Sequence, residues 1–152
     1  MPMPARHLVA PLAGRSVSPQ NQIPMNPAKA SQPTNPRPQT LFIDIDGCIF
    51  KHHGNLQMQA VTPVEILPGV HEKFDEWDRK GYNIILVSGR RESMRAATEK
   101  QLQDAGIFYD MLILGLGGGT RVIINDKKPH SDADTAAAVN LVRNEGLGNV
   151  AL

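Results

Sequence analysis

Four short apolar runs mark the chain from residue 41 onward: Leu41-Phe42-Ile43-Asp44-Ile45, Asn83-Ile84-Ile85-Leu86-Val87, Met111-Leu112-Ile113-Leu114 and Arg121-Val122-Ile123-Ile124. They are rich in β-branched residues and show no polar alternation, the pattern of strands buried in a parallel sheet. Between most of them the apolar spacing changes to that of a helix. Pro68 opens a segment with Val70, Phe74 and Trp77 on one face and Gly81 as its stop. A second helix is expected over Glu92–Ala105, stopped by Gly106, and a third over Asp132–Asn144, with Ala136, Val139, Leu141 and Val142 inward and Gly146 as its stop. Strands alternating with helices predict an α/β fold, a three-layer Rossmann-like, mostly parallel sheet with flanking helices.

Residues 1–39 follow neither period. Nine prolines, from Pro2 to Pro38, are scattered there among Gln, Asn, Ser and Ala, which predicts a disordered tail ahead of one domain over 40–152. Prolines at this density also oppose the amphipathic helix of a transit peptide. The net charge of +1 hides an asymmetry, because residues up to Thr40 carry Arg6, Arg15, Lys29 and Arg37 and no acid. The remainder is slightly acidic and only 5% of the chain is aromatic, so a basic, stacking face for nucleic acid is not expected. No apolar run approaches the roughly 18–20 residues of a membrane span, and a cytoplasmic location is the default expectation. Cys48 is the single cysteine, which excludes intrachain disulfides and multi-cysteine zinc sites. Its small size suits packing better than nucleophilic chemistry.

In parallel α/β sheets ligands bind beyond the carboxyl ends of the strands. Here those ends are polar: Asp44-Ile45-Asp46-Gly47, Ser88-Gly89-Arg90 and Asn125-Asp126-Lys127-Lys128. Carboxylates, a hydroxyl, flexible backbone and cations make up the inventory for a metal and a phosphate. Asp44 stands within an apolar run, where an unpaired carboxylate costs several kcal/mol, so a functional role outweighs that of a solvated turn. Gly117-Gly118-Gly119 precedes a run of strand type instead of joining strand to helix, and reads as a flexible connection, not a dinucleotide loop.

The segment Phe42-Ile43-Asp44-Ile45-Asp46-Gly47 resembles the first motif of the haloacid dehalogenase (HAD) superfamily. Ser88 after Ile84-Ile85-Leu86-Val87 is similar to its second motif, and Ile123-Ile124-Asn125-Asp126 to its fourth, with Asn replacing the first of two aspartates. The resemblance implies a phosphatase of phosphoric monoesters. Asp44 would attack phosphorus to give an aspartyl-phosphate, and Asp46 would serve as general acid and base. Mg²⁺ would be held by Asp44, the Asp46 carbonyl and Asp126, with Asn125 beside them. Ser88 and the Gly89 amide, at the start of a helix, would bind the phosphoryl oxygens, with Arg90 or Arg91 available to the substrate. The third motif's cation has no clear match; Arg121 is the first candidate and Lys127 the second. Arg121 reaches the site only if the glycines at 115–119 bend the chain back. The intervals 50–67 and 106–120 are too short to hold a cap domain, so the chain resembles the capless group. A second copy of the chain or a large substrate would cover its open site. The expected substrate is a small phosphorylated metabolite such as a sugar phosphate or nucleotide. A polynucleotide-end phosphatase or a non-catalytic phosphate-binding scaffold are the alternatives.

Overall fold

A computed structural model describes residues 37–152, so the expected disordered tail lies, but for its last three residues, outside the described residues. Three strands, β1 (Thr40–Asp44), β2 (Asn83–Val87) and β3 (Met111–Ile113), form a parallel sheet in the order β1-β2-β3. The helices are α1 (Leu56–Val61), α2 (Val70–Arg79) and α3 (Arg95–Asp104), the last preceded by a 3₁₀ turn over Glu92–Met94. The chain is thus a small α/β domain with flanking helices, as its alternating pattern predicts. Among the described residues no helix is long and apolar enough to cross a membrane.

Register explains where the core sits. Ile43 pairs with Leu86 and Leu86 with Leu112, while Ile84 lies two residues back along β2 on the same face. The core joins these side chains to Val70, Phe74 and Trp77 of α2 and to Leu102 of α3. The Phe74 ring lies 5.7 Å from Trp77 and 5.6 Å from Phe108, the latter edge-on. The row Phe42–Ile85–Met111 belongs to the opposite face, and its two outer members are exposed. Gly81 ends α2 in the left-handed region at φ 68°, with the Tyr82 amide returning to the Trp77 carbonyl at 3.0 Å. Gly106 ends α3 in the same way, with Ile107 bonded to Leu102. At the start of β1, the Gln39 carbonyl already accepts from the Asn83 amide at 2.9 Å.

Two expected elements do not form. Arg121–Ile124 is not a strand, Asp132–Asn144 is not a helix, and every residue from 115 to 140 is exposed. The apolar pattern is present but largely faces water: Ile124 is 92% exposed and Val142 64%, and of the four residues expected inward after Asp132 only Leu141 packs partly on the core. Four glycines between Gly115 and Gly119 raise the entropic cost of fixing the adjoining run. A helix of about a dozen residues is marginal in water without a face to bury. The inward role expected for Val139 and Val142 is taken by Leu147 and Val150, which reach the core from the stretch after Asn144.

Candidate active site

Asp44 is the last residue of β1 and lies in register with Val87, so the chain leaving β1 and the chain leaving β2 emerge side by side. Past Asp44 the backbone turns tightly. Gly47 adopts φ 96°, its amide reaches the Phe50 carbonyl at 2.7 Å, and the amides of Ile49 and Phe50 both return to the Ile45 carbonyl. Ile45, Ile49 and Phe50 are buried beneath this turn and pin it, with the two carboxylates above.

Asp44 is half-buried, and burial pushes its carboxyl above the ordinary aspartate range. The Arg121 guanidinium opposes that shift, with Nη2 donating to Asp44 Oδ1 at 3.2 Å. Of the two candidate cations, Arg121 is the one that lies against Asp44. Gly115 and Gly117, both at positive φ, turn the chain after Leu114 on the way to it. Lys127 instead pairs with Asp134 at 3.2 Å.

Asp46 is held more firmly. Arg90 is fully buried and forks onto it, Nε to Oδ2 at 2.8 Å and Nη2 to Oδ1 at 2.7 Å. The remaining guanidinium nitrogen, Nη1, donates to Thr98 Oγ1 at 3.1 Å and to Gln101 Oε1 at 2.7 Å. A buried guanidinium is tolerable only with its donors used in this way. Gln59 of α1 adds a further donor, its Nε2, to Asp46 Oδ1.

Ser88 follows β2, buried, and its Oγ accepts from the Arg90 amide at 3.1 Å, leaving the hydroxyl proton available to a ligand. Chain 113–116 continues alongside: Ser88 N bonds to Ile113 O, Leu116 N to Ser88 O and Gly115 N to Arg90 O. Gly89 is required here, because a Cβ would stand 2.8 Å from the Gly117 carbonyl oxygen. The expected placement of Ser88 and Gly89 at a helix start needs correction. The 3₁₀ turn begins at Glu92 and α3 at Arg95, so neither residue stands at a helix start.

Asn125 and Asp126, expected to complete a metal centre, lie elsewhere. Asp126 is exposed, 3.4 Å from Lys128 Nζ, and Asn125 donates to the Thr135 carbonyl at 3.3 Å. Thr135 Oγ1 in turn donates to the Asp126 carbonyl, so this loop closes on itself. Among the described residues no group of three or more His, Cys, Asp or Glu is arranged to hold a metal ion. Burial and the nearby Asp44 charge push the Cys48 thiol up to about 11, which keeps it protonated at neutral pH and fits a packing role.

Sequence reasoning offered Arg90 to the substrate, whereas the structure gives it to Asp46; Gln59, Thr98 and Gln101 were not singled out. A signal for Thr98 existed. It lies four residues before Leu102 on the inward stripe of α3, and a polar residue on such a stripe implies a buried partner.

A family profile described as HAD superfamily, subfamily IIIB (acid phosphatase), matches residues 60–138, just over half of the chain. The match takes in Ser88, Arg90, Arg121 and Asp126 and begins after Asp44 and Asp46. Among solved structures, a chain of a Pnkp1/Rnl/Hen1 complex is 25% identical over 56% of this chain, with a TM-score of 0.47. A chain of a Pnkp1/Rnl/Hen1 RNA repair complex is 27% identical over 51%, with a TM-score of 0.44. This chain spans 30% and 25% of the length of those two. Likenesses this distant do not inform the site. No curated protein sequence matches the chain.

Proposed function

Since the chain belongs to the HAD superfamily, subfamily IIIB (acid phosphatase), and is a phosphatase by that membership, we propose that it hydrolyses small phosphomonoesters through attack by Asp44. The observation that carries this reading is the pairing at the end of β1, where the carboxylate of Asp44 meets the guanidinium of Arg121. An Asp44 oxygen forms a bond to phosphorus as the bond to the leaving oxygen breaks, and Asp46 gives that oxygen its proton. Water then attacks the aspartyl-phosphate, returns a proton to Asp46 and releases inorganic phosphate and free Asp44. Arg121 and the Ser88 hydroxyl offset charge on the phosphoryl oxygens. Both Asp46 oxygens accept hydrogen bonds as described, which fixes the orientation of this carboxylate beside Asp44.

Members of this superfamily generally use Mg²⁺, which supplies charge neutralisation at the phosphoryl group. Asp44 and the Asp46 carbonyl would be its first ligands here. With Asp126 directed elsewhere, the described arrangement does not assemble the expected donor set, so no step is drawn through the cation.

The test is hydrolysis of an aryl phosphate by the purified chain with and without magnesium, followed by a panel of sugar phosphates, nucleotides and a 3′-phosphorylated oligonucleotide. Asp44→Asn is expected to lower turnover by roughly 10³-fold or more with the fold intact. Turnover like that of the unaltered chain would remove Asp44 as nucleophile. Preference for the oligonucleotide would move the substrate class to polynucleotide ends.

A further inference from the structure

We infer that Gln59 is a positioning residue for Asp46, and that through it the segment Lys51–Ile66 selects which oxygen of Asp46 transfers the proton. Gln59 is 3% exposed on a six-residue helix whose neighbouring side chains Gln57, Met58 and Val61 face outward. Burying a carboxamide is unfavourable unless its polar atoms find partners, and these do. Nε2 donates to Asp46 Oδ1 and to the Lys51 carbonyl, and Oε1 accepts from the His53 amide at 2.6 Å. The Gln59 carbonyl accepts from Gln101 Nε2 at 2.9 Å, and Gln101 also holds Arg90. A helix this short has little stability of its own. It is fixed by the Asn55 cap, whose Oδ1 accepts from Met58 N at 2.8 Å, and by this network.

The consequence lies in the lone pairs of Asp46. Oδ1 accepts from both Gln59 and Arg90 Nη2, whereas among the described residues Oδ2 accepts only from Arg90 Nε. An ionised carboxylate offers about four acceptor sites, two on each oxygen. Gln59 therefore fills Oδ1 and leaves Oδ2 with a vacancy, so Oδ2 is the atom that meets the leaving oxygen and the attacking water. This inference rests on the reading of Asp46 as acid and base.

The experiment uses the full chain and a series of aryl phosphates spanning leaving-group pKa, with Gln59→Met, Asp46→Asn and the double variant. Gln59→Met is expected to lower kcat roughly 10- to 100-fold on the poorest leaving groups and progressively less on better ones, with KM unchanged. In the Asp46→Asn background it is expected to add nothing. A loss equal across leaving groups, a full additional loss in the double variant, or no loss at all overturns the inference while leaving the acid/base reading in place. A flat profile for Asp46→Asn itself removes that reading, and the inference with it. Should Gln59→Met fold poorly, Gln59→Leu, likewise uncharged and without a donor, is measured in its place. The same pattern is required of it.

Discussion

Residues 40–114 and residues 115–140 carry apolar runs of the same character, and they end in opposite conditions. In the first region Ile43, Ile84 and Leu86 are buried; in the second every residue is exposed, including Val122, Ile123 and Ile124. Composition does not separate Ile84-Ile85-Leu86-Val87 from Val122-Ile123-Ile124. Partners do. β2 has a strand on each side and helices packed on one face, whereas the later run has neither, and a strand without a neighbour leaves its backbone groups to water. The second region nevertheless touches the first, through Gly115 and Leu116 beside Ser88 and Arg90 and through Arg121 at Asp44.

That contrast is open to direct attack. The largest expected difference is in stability: Trp77→Ala should cost about 3–5 kcal/mol in urea denaturation, and Ile124→Ala should stay within about 0.5 kcal/mol. A cost for Ile124→Ala approaching that of Trp77→Ala would mean that the exposed run packs against something in solution and that the two regions are not distinct.

A smaller effect is expected at the metal. Arg121 anchors its segment at Asp44 five residues ahead of Asp126, which keeps the chain that carries Asp126 tied to the end of β1. Asp126→Ala should raise the magnesium needed for half-maximal activity several-fold with little change in the maximal rate. An unchanged requirement would confine the contribution of the second region to Arg121.

The smallest effect belongs to the surface of the first region. Lys80 and Lys73 hydrogen-bond to Glu76 and hold its carboxyl down at about 2. Since the folded value lies below the unfolded one, the stability that Glu76 contributes is present above the ordinary carboxylate range and is lost as pH falls toward about 2. Glu76 is partly exposed, so water and salt screen the pairs. Glu76→Gln should therefore lower Tm slightly at neutral pH and low salt, with the difference vanishing in acid and in high salt. A persistent difference in acid would point to packing instead of charge.

What could be read without coordinates follows the same division. Observed β1, β2 and β3 lie within a residue of their predicted spans, and α2 and α3 follow from apolar spacing and terminal glycines, because those signals report burial that takes place. α1 left no such signal; its single buried polar side chain, Gln59, depends on partners at Asp46, Lys51 and His53. Asp44 and Ser88 could be identified as strand-end residues. The assignment of Arg90 to Asp46 could not, since strand ends specify which residues are near one another but not which donor turns to which acceptor. The strand and helix expected after Gly119 rested on periodicity alone, and periodicity states what a segment can bury without supplying the surface to bury it on.

Asn144 adds a consequence for the order in which the molecule matures. At φ 68° it holds the backbone of His52 from both sides, Oδ1 accepting from His52 N at 2.7 Å and Nδ2 donating to His52 O, while its own amide reaches the Gly47 carbonyl at 2.9 Å. The loop that leaves Asp46 is thus tied to a residue 92 positions later. During synthesis the sheet and α2 can assemble as soon as β3 has emerged, since their contacts close first. The clamp on the loop beside Asp44 and Asp46 must wait for Asn144, and closing so long an interval is entropically costly and slow. The loop beside Asp44 and Asp46 is therefore ordered only once the segment from Asn144 onward has been made, the same segment whose Leu147 and Val150 complete the core.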